Sequence, residues 1–491
     1  MTAKKLSSPL ARVTGIFFIV TIVCLTFADL TVTTVDPWSE FGRLASGLIS
    51  PDFFSTDSLV LSLAYTLAFA LLGVLLGNLI GFGFALLFSF RLIRIFCAVI
   101  RAVHELFWAL IFLQLFGLSP ITGILAIAIP YSGIIAKVYA EILEESDQSP
   151  LEVLSVNTSR ASTFLFVRLP DAWVQFKTYS MYRLECGLRS SAVLGFIGLP
   201  TLGFHLESAF KEGHYQEVSA LLIVFYILIA TMRFWMKRQF LPVYLILSVV
   251  ILPWDTNFSA SNILRFLTED IIPYPMRDNT ASMMDWVHLL VVTQAFPGML
   301  ATLQLTMIAL FATGILTMLF FPLISPLFFK MKGRGIGHVF LVIIRSTPEY
   351  ILAFILLQLW GPSMLPAIVA LAFHNSAIIG HLIGRYTENI ALRQDSVTGI
   401  NRYFYEVSPR IYRPMLALLF YRWEVILRET AILGMLGVAT IGFYIDSAFS
   451  DLRFDRALVL IAITAMMNIC VDAISRLIRS HLRLKTSLEY K

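Results

Sequence analysis

Tyr182 to Phe210 reads YRLECGLRSSAVLGFIGLPTLGFHLESAF, and Tyr421 to Phe449 reads YRWEVILRETAILGMLGVATIGFYIDSAF. Aligned without a gap, about half the positions are identical. The matches include Tyr182/Tyr421, Arg183/Arg422, Glu185/Glu424, Arg189/Arg428, Gly195/Gly434, Gly198/Gly437 and Gly203/Gly442. Apolar sequence repeats Leu and Ala by chance. It does not reproduce Tyr-Arg-x-Glu-x-x-Leu-Arg followed by three glycines in register. The chain therefore reads as a tandem duplication, and the fold follows from the repeat.

Composition sets the solvent. Hydrophobic residues make up 58% and charged residues 14% of the 491, with a mean hydropathy of +0.79. A soluble domain is nearer a quarter charged. Recurrent apolar runs of about 20 residues are long enough to cross a bilayer core. The expected class is all-α, a polytopic membrane protein. Short alternating segments, which a membrane β-barrel needs, are absent. The net charge of +5 comes from basic residues beside apolar runs. These read as orientation signals, so no nucleic acid partner is expected and membrane lipid is. The four cysteines, Cys24, Cys97, Cys186 and Cys470, are scattered without CxxC spacing, which suggests neither a zinc site nor a disulfide framework.

The apolar runs predict about twelve spans. In the first half these are Val13–Leu30, Ser58–Phe90, Phe96–Phe116, Ile121–Val138, Ser191–Leu206 and Ser219–Trp235. In the second they are Leu241–Trp254, Pro297–Phe329, Val339–Trp360, Ile368–Ile383, Thr430–Ile445 and Ala457–Ile474. Thr31–Asp57 and Asp255–Asp285 read as polar loops. So do Tyr139–Ser180 and Gly384–Arg413, the long segments between the fourth and fifth spans of each half. Basic clusters at Lys4/Lys5/Arg12, Arg91/Arg94, Lys237/Arg238, Lys330/Lys332/Arg334 and the C-terminal tail fall on one side if the spans alternate. The positive-inside rule makes that side cytoplasmic, with both termini and both long segments. Six spans per half give parallel repeats.

Each long segment carries a recurring pattern. The first has Ser149-Pro-Leu-Glu-Val-Leu-Ser-Val-Asn157, then Leu169-Pro170. The second has Asp395-Ser-Val-Thr-Gly399, then Val407-Ser408-Pro409. A docking surface for a cytoplasmic partner and an ordinary solvated loop both fit such segments. The pattern resembles the cytoplasmic signature of ABC importer permeases: Glu-Ala-Ala, a Gly three residues on, and a later Leu-Pro. Glu152 stands one position late and Asn157 replaces the Gly. The second copy keeps Gly399 but is shorter before Pro409.

A closer resemblance is to permeases of the phosphonate-type ABC importers. It rests on Arg101-Ala-Val-His-Glu-Leu-Phe-Trp-Ala109, echoed by Arg345-Ser-Thr-Pro-Glu-Tyr-Ile-Leu-Ala353, on Gly117-Leu-Ser-Pro-Ile-Thr-Gly123, and on the duplicated Tyr-Arg block. The resemblance implies a type I importer permease fold. It assigns residues 1–57 to a first span and extracytoplasmic loop, and 58–238 to one ABC transmembrane type-1 domain. It assigns 239–296 to the seventh span and its loop, 297–480 to a second such domain, and 481–491 to a cytoplasmic tail. It implies ATP-driven import of a phosphonate-like anion across a bacterial inner membrane, with phosphate or phosphite as alternatives. The implied partners are two copies of a cytoplasmic ATP-binding subunit, holding ATP and Mg, and an extracytoplasmic solute-binding protein. Glu152, Asn157, Pro170, Gly399 and Pro409 are the implied contacts to the ATPase.

The chain itself is expected to bind no cofactor and hydrolyse no ATP. Lys332-Gly-Arg-Gly-Ile-Gly-His338 lacks the Lys-Ser/Thr end of a phosphate-binding loop. No metal-ligand spacing or catalytic constellation occurs. An ion-coupled secondary transporter is the rival class, since parallel halves suit it too.

The polar residues within spans are the candidates for the solute path. Arg101/Glu105, Arg345/Glu349, Glu185/Arg189 and Glu424/Arg428 have i,i+4 spacing, which places each pair on one helix face. They read either as path residues or as staples at helix ends. His374 and Asn375 lie well inside the tenth span, with Pro130 and Tyr131 as their first-half counterparts. A His here can donate to an oxyanion, or hold two helices together. The repeated glycines, Gly195, Gly198, Gly434 and Gly437 among them, read as close-packing points or hinges.

Overall fold

The computed structural model describes residues 9–146, 158–237, 239–254, 259–277 and 282–484, and among them every regular element is helical. In chain order, α1 is Pro9–Phe27, α2 Pro37–Ile49, α3 Leu59–Leu86, α4 Arg91–Ala102, α5 Glu105–Phe116 and α6 Pro120–Glu145. Next come α7 (Leu169–Val193), α8 (Leu202–Glu212), α9 (Tyr215–Trp235) and α10 (Leu241–Ile251). The longer helices that follow are α11 (Phe296–Phe320), α12 (Met331–Ser346), α13 (Glu349–Trp360), α14 (Met364–Tyr386), α15 (Ser408–Met435), α16 (Ile441–Ser450) and α17 (Phe454–His481). Among the described residues seven helices are long and apolar enough to cross a membrane, and ten segments qualify when each sharply bent pair is one span. The chain is a polytopic integral membrane protein. Outward apolar side chains such as Ile16, Ile19, Leu79 and Leu319 are exposed, as a lipid-facing surface requires.

The chain divides into two compact units, one of residues 43–271 and the other of residues 1–42 with 272–491. In the first, α3 lies along α6. Gly73, Gly77 and Gly81 form the contact: a Cβ on Gly73 would sit 2.8 Å from Ile127 Cβ, and one on Gly81 2.9 Å from Ile135 Cβ. Small residues at this spacing let two helices approach in lipid, where apolar burial alone gives no preference for a partner. The short α10 packs on α3 in the same unit.

In the second unit, α11 lies along α14 and α15. Leu305, Ala309, Leu371 and Ile426 are fully buried there. α1 packs on this unit: Gln304 Nε2 donates to the Cys24 carbonyl at 2.7 Å, and the Phe17 ring lies 5.1 Å from Phe420 and 5.2 Å from Trp423. The first and seventh spans therefore do not pack with the segments that follow them in sequence.

Several expected spans are not straight. The span over Phe96–Phe116 is α4 and α5, bent by 91°, and that over Val339–Trp360 is α12 and α13, bent by 90°. Pro348 explains the second bend, because a proline drives the preceding residue out of helical conformation; Thr347 is extended, at φ −70° and ψ 119°. The first bend has no proline. There His104 is extended and its Nδ1 accepts the Leu106 N–H at 3.1 Å, capping α5. As a result Arg101/Glu105 and Arg345/Glu349 are not i,i+4 pairs on one helix, contrary to expectation. Glu185 and Arg189 do share the continuous helix α7, and Glu424 and Arg428 share α15.

The segments Ser191–Leu206 and Thr430–Ile445 likewise straddle breaks. The helices begin earlier, at Leu169 and Ser408, so each long polar stretch ends inside a helix. Thr31–Asp57 also contains a helix, α2. After each long helix the chain turns through Gly198 (φ +89°) or Gly437 (φ +90°), a left-handed conformation that L side chains rarely adopt. The returning helix then presses against the first. A Cβ on Gly203 would lie 1.8 Å from the Ala192 carbonyl oxygen, and one on Gly442 2.2 Å from that of Ala431. Gly203 and Gly442 are thus close-packing points, while Gly198 and Gly437 serve the turn.

Candidate functional site: two buried polar clusters

Each unit carries a polar cluster where a bent pair meets the next two long helices. In the second unit the bend between α12 and α13 leaves the Thr347 carbonyl outside any helix. His374 Nδ1 lies 2.9 Å from it. A carbonyl only accepts, so Nδ1 carries the proton and Nε2 faces the cluster. Nε2 lies 3.8 Å from Glu349 Oε2 at the start of α13. The adjacent Asn375 Nδ2 donates to Glu429 Oε2 on α15 at 3.0 Å and to the Leu371 carbonyl at 3.0 Å. His374, Asn375 and Glu429 are buried, and Asn375 Oδ1 has no hydrogen-bond partner among the described residues.

Ligand-type atoms of Glu349, His374 and Glu429 all lie within 4.8 Å of one another. These are donor types that hold a divalent cation. They equally suit hydrogen bonding to a protonated oxyanion, whose P–OH donates to carboxylate. Sequence spacing does not reveal the set, because its members come from three segments.

On α15 the structure adds a residue that spacing did not single out. Spacing marked Glu424 and Arg428, as path residues or as staples at a helix end. The structure brings the neighbouring Glu429 into the set with Glu349 and His374, and Arg428 is not one of the three. One step along a helix turns about 100°, so the two side chains leave α15 on different faces. Glu429 is buried, whereas Arg428 and Glu424 are half-buried. The first repeat makes the same shift. Ser190, the counterpart of Glu429, enters its cluster, while the neighbouring Arg189 points Nη2 at Cys186 Sγ, 3.5 Å away on its own helix. Tyr182 and Tyr421, which open the repeated block, are exposed.

The unit of residues 43–271 builds its cluster from the counterpart positions. Ser190 Oγ donates to Glu105 Oε1 at 2.7 Å, Tyr131 OH lies 2.9 Å from Ser190 Oγ, and His104 Nε2 lies 3.6 Å from Glu105 Oε2. Here Tyr131 takes the place of Asn375, and Ser190 that of Glu429. Arg183, one turn before Cys186 on α7, stacks on three tyrosines. Its guanidinium carbon is 5.0 Å from the Tyr179 ring, 5.5 Å from Tyr182 and 5.8 Å from Tyr131, and its Nε donates to Tyr179 OH at 2.7 Å.

Of the expected path residues, the structure groups His374, Asn375 and Glu349 in one cluster and places Glu105 in the other. Arg101 and Arg345 lie in the last turns of α4 and α12, half-buried.

The expected docking residues divide. Glu152 and Asn157 lie outside the described residues. Pro170 and Pro409 sit in the first turns of α7 and α15, where a missing N–H costs nothing. Gly399, at φ +68°, opens a short helical turn through Val407. Ile400, Phe404 and Tyr405 on that turn are exposed, and in the first repeat so are Leu165 and Phe166. Glu406 fastens the second segment from beneath. Its Oε1 accepts the Arg393 N–H at 2.7 Å and its Oε2 the Ser396 hydroxyl at 2.6 Å, with Arg410 Nη2 3.4 Å from Oε1. These bonds, the Ser396 hydroxyl first, hold its carboxyl below the usual range.

The order of bent pair, long helix, broken helix and final helix is the observation on which the comparisons bear. Residues 318–484 match the family model described as "Binding-protein-dependent transport system inner membrane component". The chain is similar to ABC importer permeases of the phosphonate type. It is 24% identical to the phosphate-import permease protein PhnE of Mycolicibacterium smegmatis, over 78% of this chain and 76% of that one. It is 27% identical to the phosphite transport system permease protein PtxC of Stutzerimonas stutzeri, over 44% of this chain and 82% of the relative. It is 26% identical to a putative cryptic phosphonate transport system permease protein, PhnE2, of Escherichia coli, over 23% of this chain and 94% of the relative. No solved structure matches. The permease family works with ATP-binding subunits and a solute-binding protein.

Proposed function

We propose that this permease passes a phosphorus oxyanion, with phosphonate, phosphite and phosphate as the candidates, across a bacterial inner membrane. The observation that carries the reading is the match to a phosphate-import permease over 78% of the chain, more than either repeat spans alone. Two tandem permease repeats make up the chain, at about residues 58–238 and 297–480, and both termini are cytoplasmic. Two ATP-binding subunits hold ATP and Mg and carry out hydrolysis. They dock at the segments around Pro170 and Gly399. The exposed Ile400, Phe404 and Tyr405, with Leu165 and Phe166 in the other repeat, support docking, since apolar side chains on a cytoplasmic turn gain from being covered. An extracytoplasmic protein delivers the solute, and the residues around His374 and Glu105 line its path.

A second reading, coupling to an ion gradient, has one observation in its favour: the buried carboxylate of Glu429 beside His374. One experiment separates the two. Uptake of labelled phosphate, phosphite and methylphosphonate is measured in a deletion strain carrying the chain with its partners. Inactivating the phosphate-binding loop of the partner ATPase abolishes uptake on the first reading. On the second, uptake survives that change and collapses with a protonophore or on sodium removal.

A further inference from the structure

We propose that Arg422 is the residue of the second repeat that grips the oxyanion, through the Nε–Nη2 edge of its guanidinium; this rests on the oxyanion reading above. The guanidinium sits on α15, a helix of the membrane domain. Its Nε and Nη2 are both shielded from solvent, and neither has a hydrogen-bond partner among the described residues. Those two atoms form one edge of the guanidinium plane. Their parallel N–H groups match two oxygens of a single tetrahedral anion. A cation with two shielded, unmet donors is costly in a membrane protein unless something pairs with them. A transient anionic solute supplies that pairing.

The chain contains its own control. Arg183 stands at the same position of the first repeat, and there the edge is occupied: Nε donates to Tyr179 OH at 2.7 Å. Tyr179 and Tyr131 complete its aromatic cage with Tyr182. In the second repeat, Leu418 replaces Tyr179 and Asn375 replaces Tyr131, so only Tyr421 of the three tyrosines is kept. The hydroxyl that satisfies Arg183 is therefore gone at Arg422, while the cation is retained. The first repeat uses its arginine to build structure; the second leaves its arginine available to a ligand. An anionic lipid headgroup offers the same phosphate oxygens, and the test separates it from the solute.

Labelled phosphate, phosphite and methylphosphonate uptake is compared among wild type, Arg422→Lys, Leu418→Tyr and Leu418→Phe, at matched membrane levels in the assembled complex. Arg422→Lys keeps the charge and loses the fork. Leu418→Tyr restores the hydroxyl that engages the edge, and Leu418→Phe adds the same ring without it. The expected result is a fall of about tenfold or more for the first two, as for the loss of one charge-assisted hydrogen bond, with Leu418→Phe near wild type. The proposal is overturned if Arg422→Lys transports normally, or if the Tyr and Phe variants behave alike. Native mass measurement of the purified full chain forms the lipid arm. Loss of bound phosphatidylglycerol in Arg422→Lys with unchanged uptake assigns the edge to a headgroup and overturns the solute assignment. If wild type takes up none of the three anions, the oxyanion reading itself fails; if wild type transports and Arg422→Lys does too, only the role of Arg422 fails.

Discussion

Asn375 Nδ2 donates to Glu429 Oε2 at 3.0 Å, joining two long buried helices through an amide and a carboxylate. Both side chains are buried, so each depends on the other to replace lost hydration. Asn375→Leu leaves a buried carboxylate without this donor, at a cost of about 1–3 kcal/mol. The thermal unfolding midpoint of the purified chain should fall clearly. Glu429→Gln retains an acceptor and should fall less. Equal, unshifted midpoints for both variants would remove the pair from any structural role.

The breaks in the long helices set a second expectation. Gly203→Val places carbon where the Ala192 carbonyl oxygen lies 1.8 Å away, and Gly442→Val does the same at Ala431, at 2.2 Å. Both variants should accumulate poorly in the membrane. Gly437→Ala has open space around its new Cβ but a φ of +90°, so it should cost only about 1–2 kcal/mol of backbone strain. Wild-type accumulation of the two valine variants would refute the close approach.

Glu406 provides a pH expectation. Its carboxyl is held below its ordinary value of 4.5 by bonds to the charged form. A lowered carboxylate contributes stability fully above the unfolded value and loses it as pH falls through the folded one. The segment from Arg393 to Arg410 should resist protease at neutral pH and open only below about 4.5. Glu406→Gln should be nicked there already at neutral pH. A wild-type digestion pattern for that variant would contradict the fastening role of Glu406.

How much of this was legible in the sequence depends on where the determinants lie. The duplicated Tyr182–Phe210 block exposed the repeat, because its polar and glycine positions cannot be shared by chance. Pro348 marked a bend in plain sight, but His104, which bends the first repeat by capping, looks like any polar residue beside a Glu. The i,i+4 reading of Arg345/Glu349 failed for the same reason: spacing implies a shared face only where the helix is continuous. His374 and Asn375 stood out as polar residues within an apolar run. Glu429 did not, because its significance comes from Asn375, which is 54 residues away. The repeat marks Arg428, which is identical in both copies, and passes over Glu429, which is not. The packing of α1 with the second unit left no sequence trace, since Phe420 and Trp423 are apolar side chains like any others and Gln304 bonds a backbone carbonyl, which any residue offers.

The docking face is open to a direct test. Phe404→Asp and Ile400→Asp place charge on the exposed turn without touching the bonds of Glu406. Each should abolish co-purification of the ATP-binding subunit and uptake together, with the permease still inserted at normal level. Unchanged co-purification and uptake in both variants would show that this turn is an ordinary solvent-exposed loop.

The central claim is that both halves of an ABC permease lie in this one chain, each with its own docking segment. The mass of the detergent-purified complex tests it most directly. The account predicts one copy of this chain with two nucleotide-binding subunits. Two copies of the chain per complex, or a single ATP-binding subunit in an active one, would contradict it.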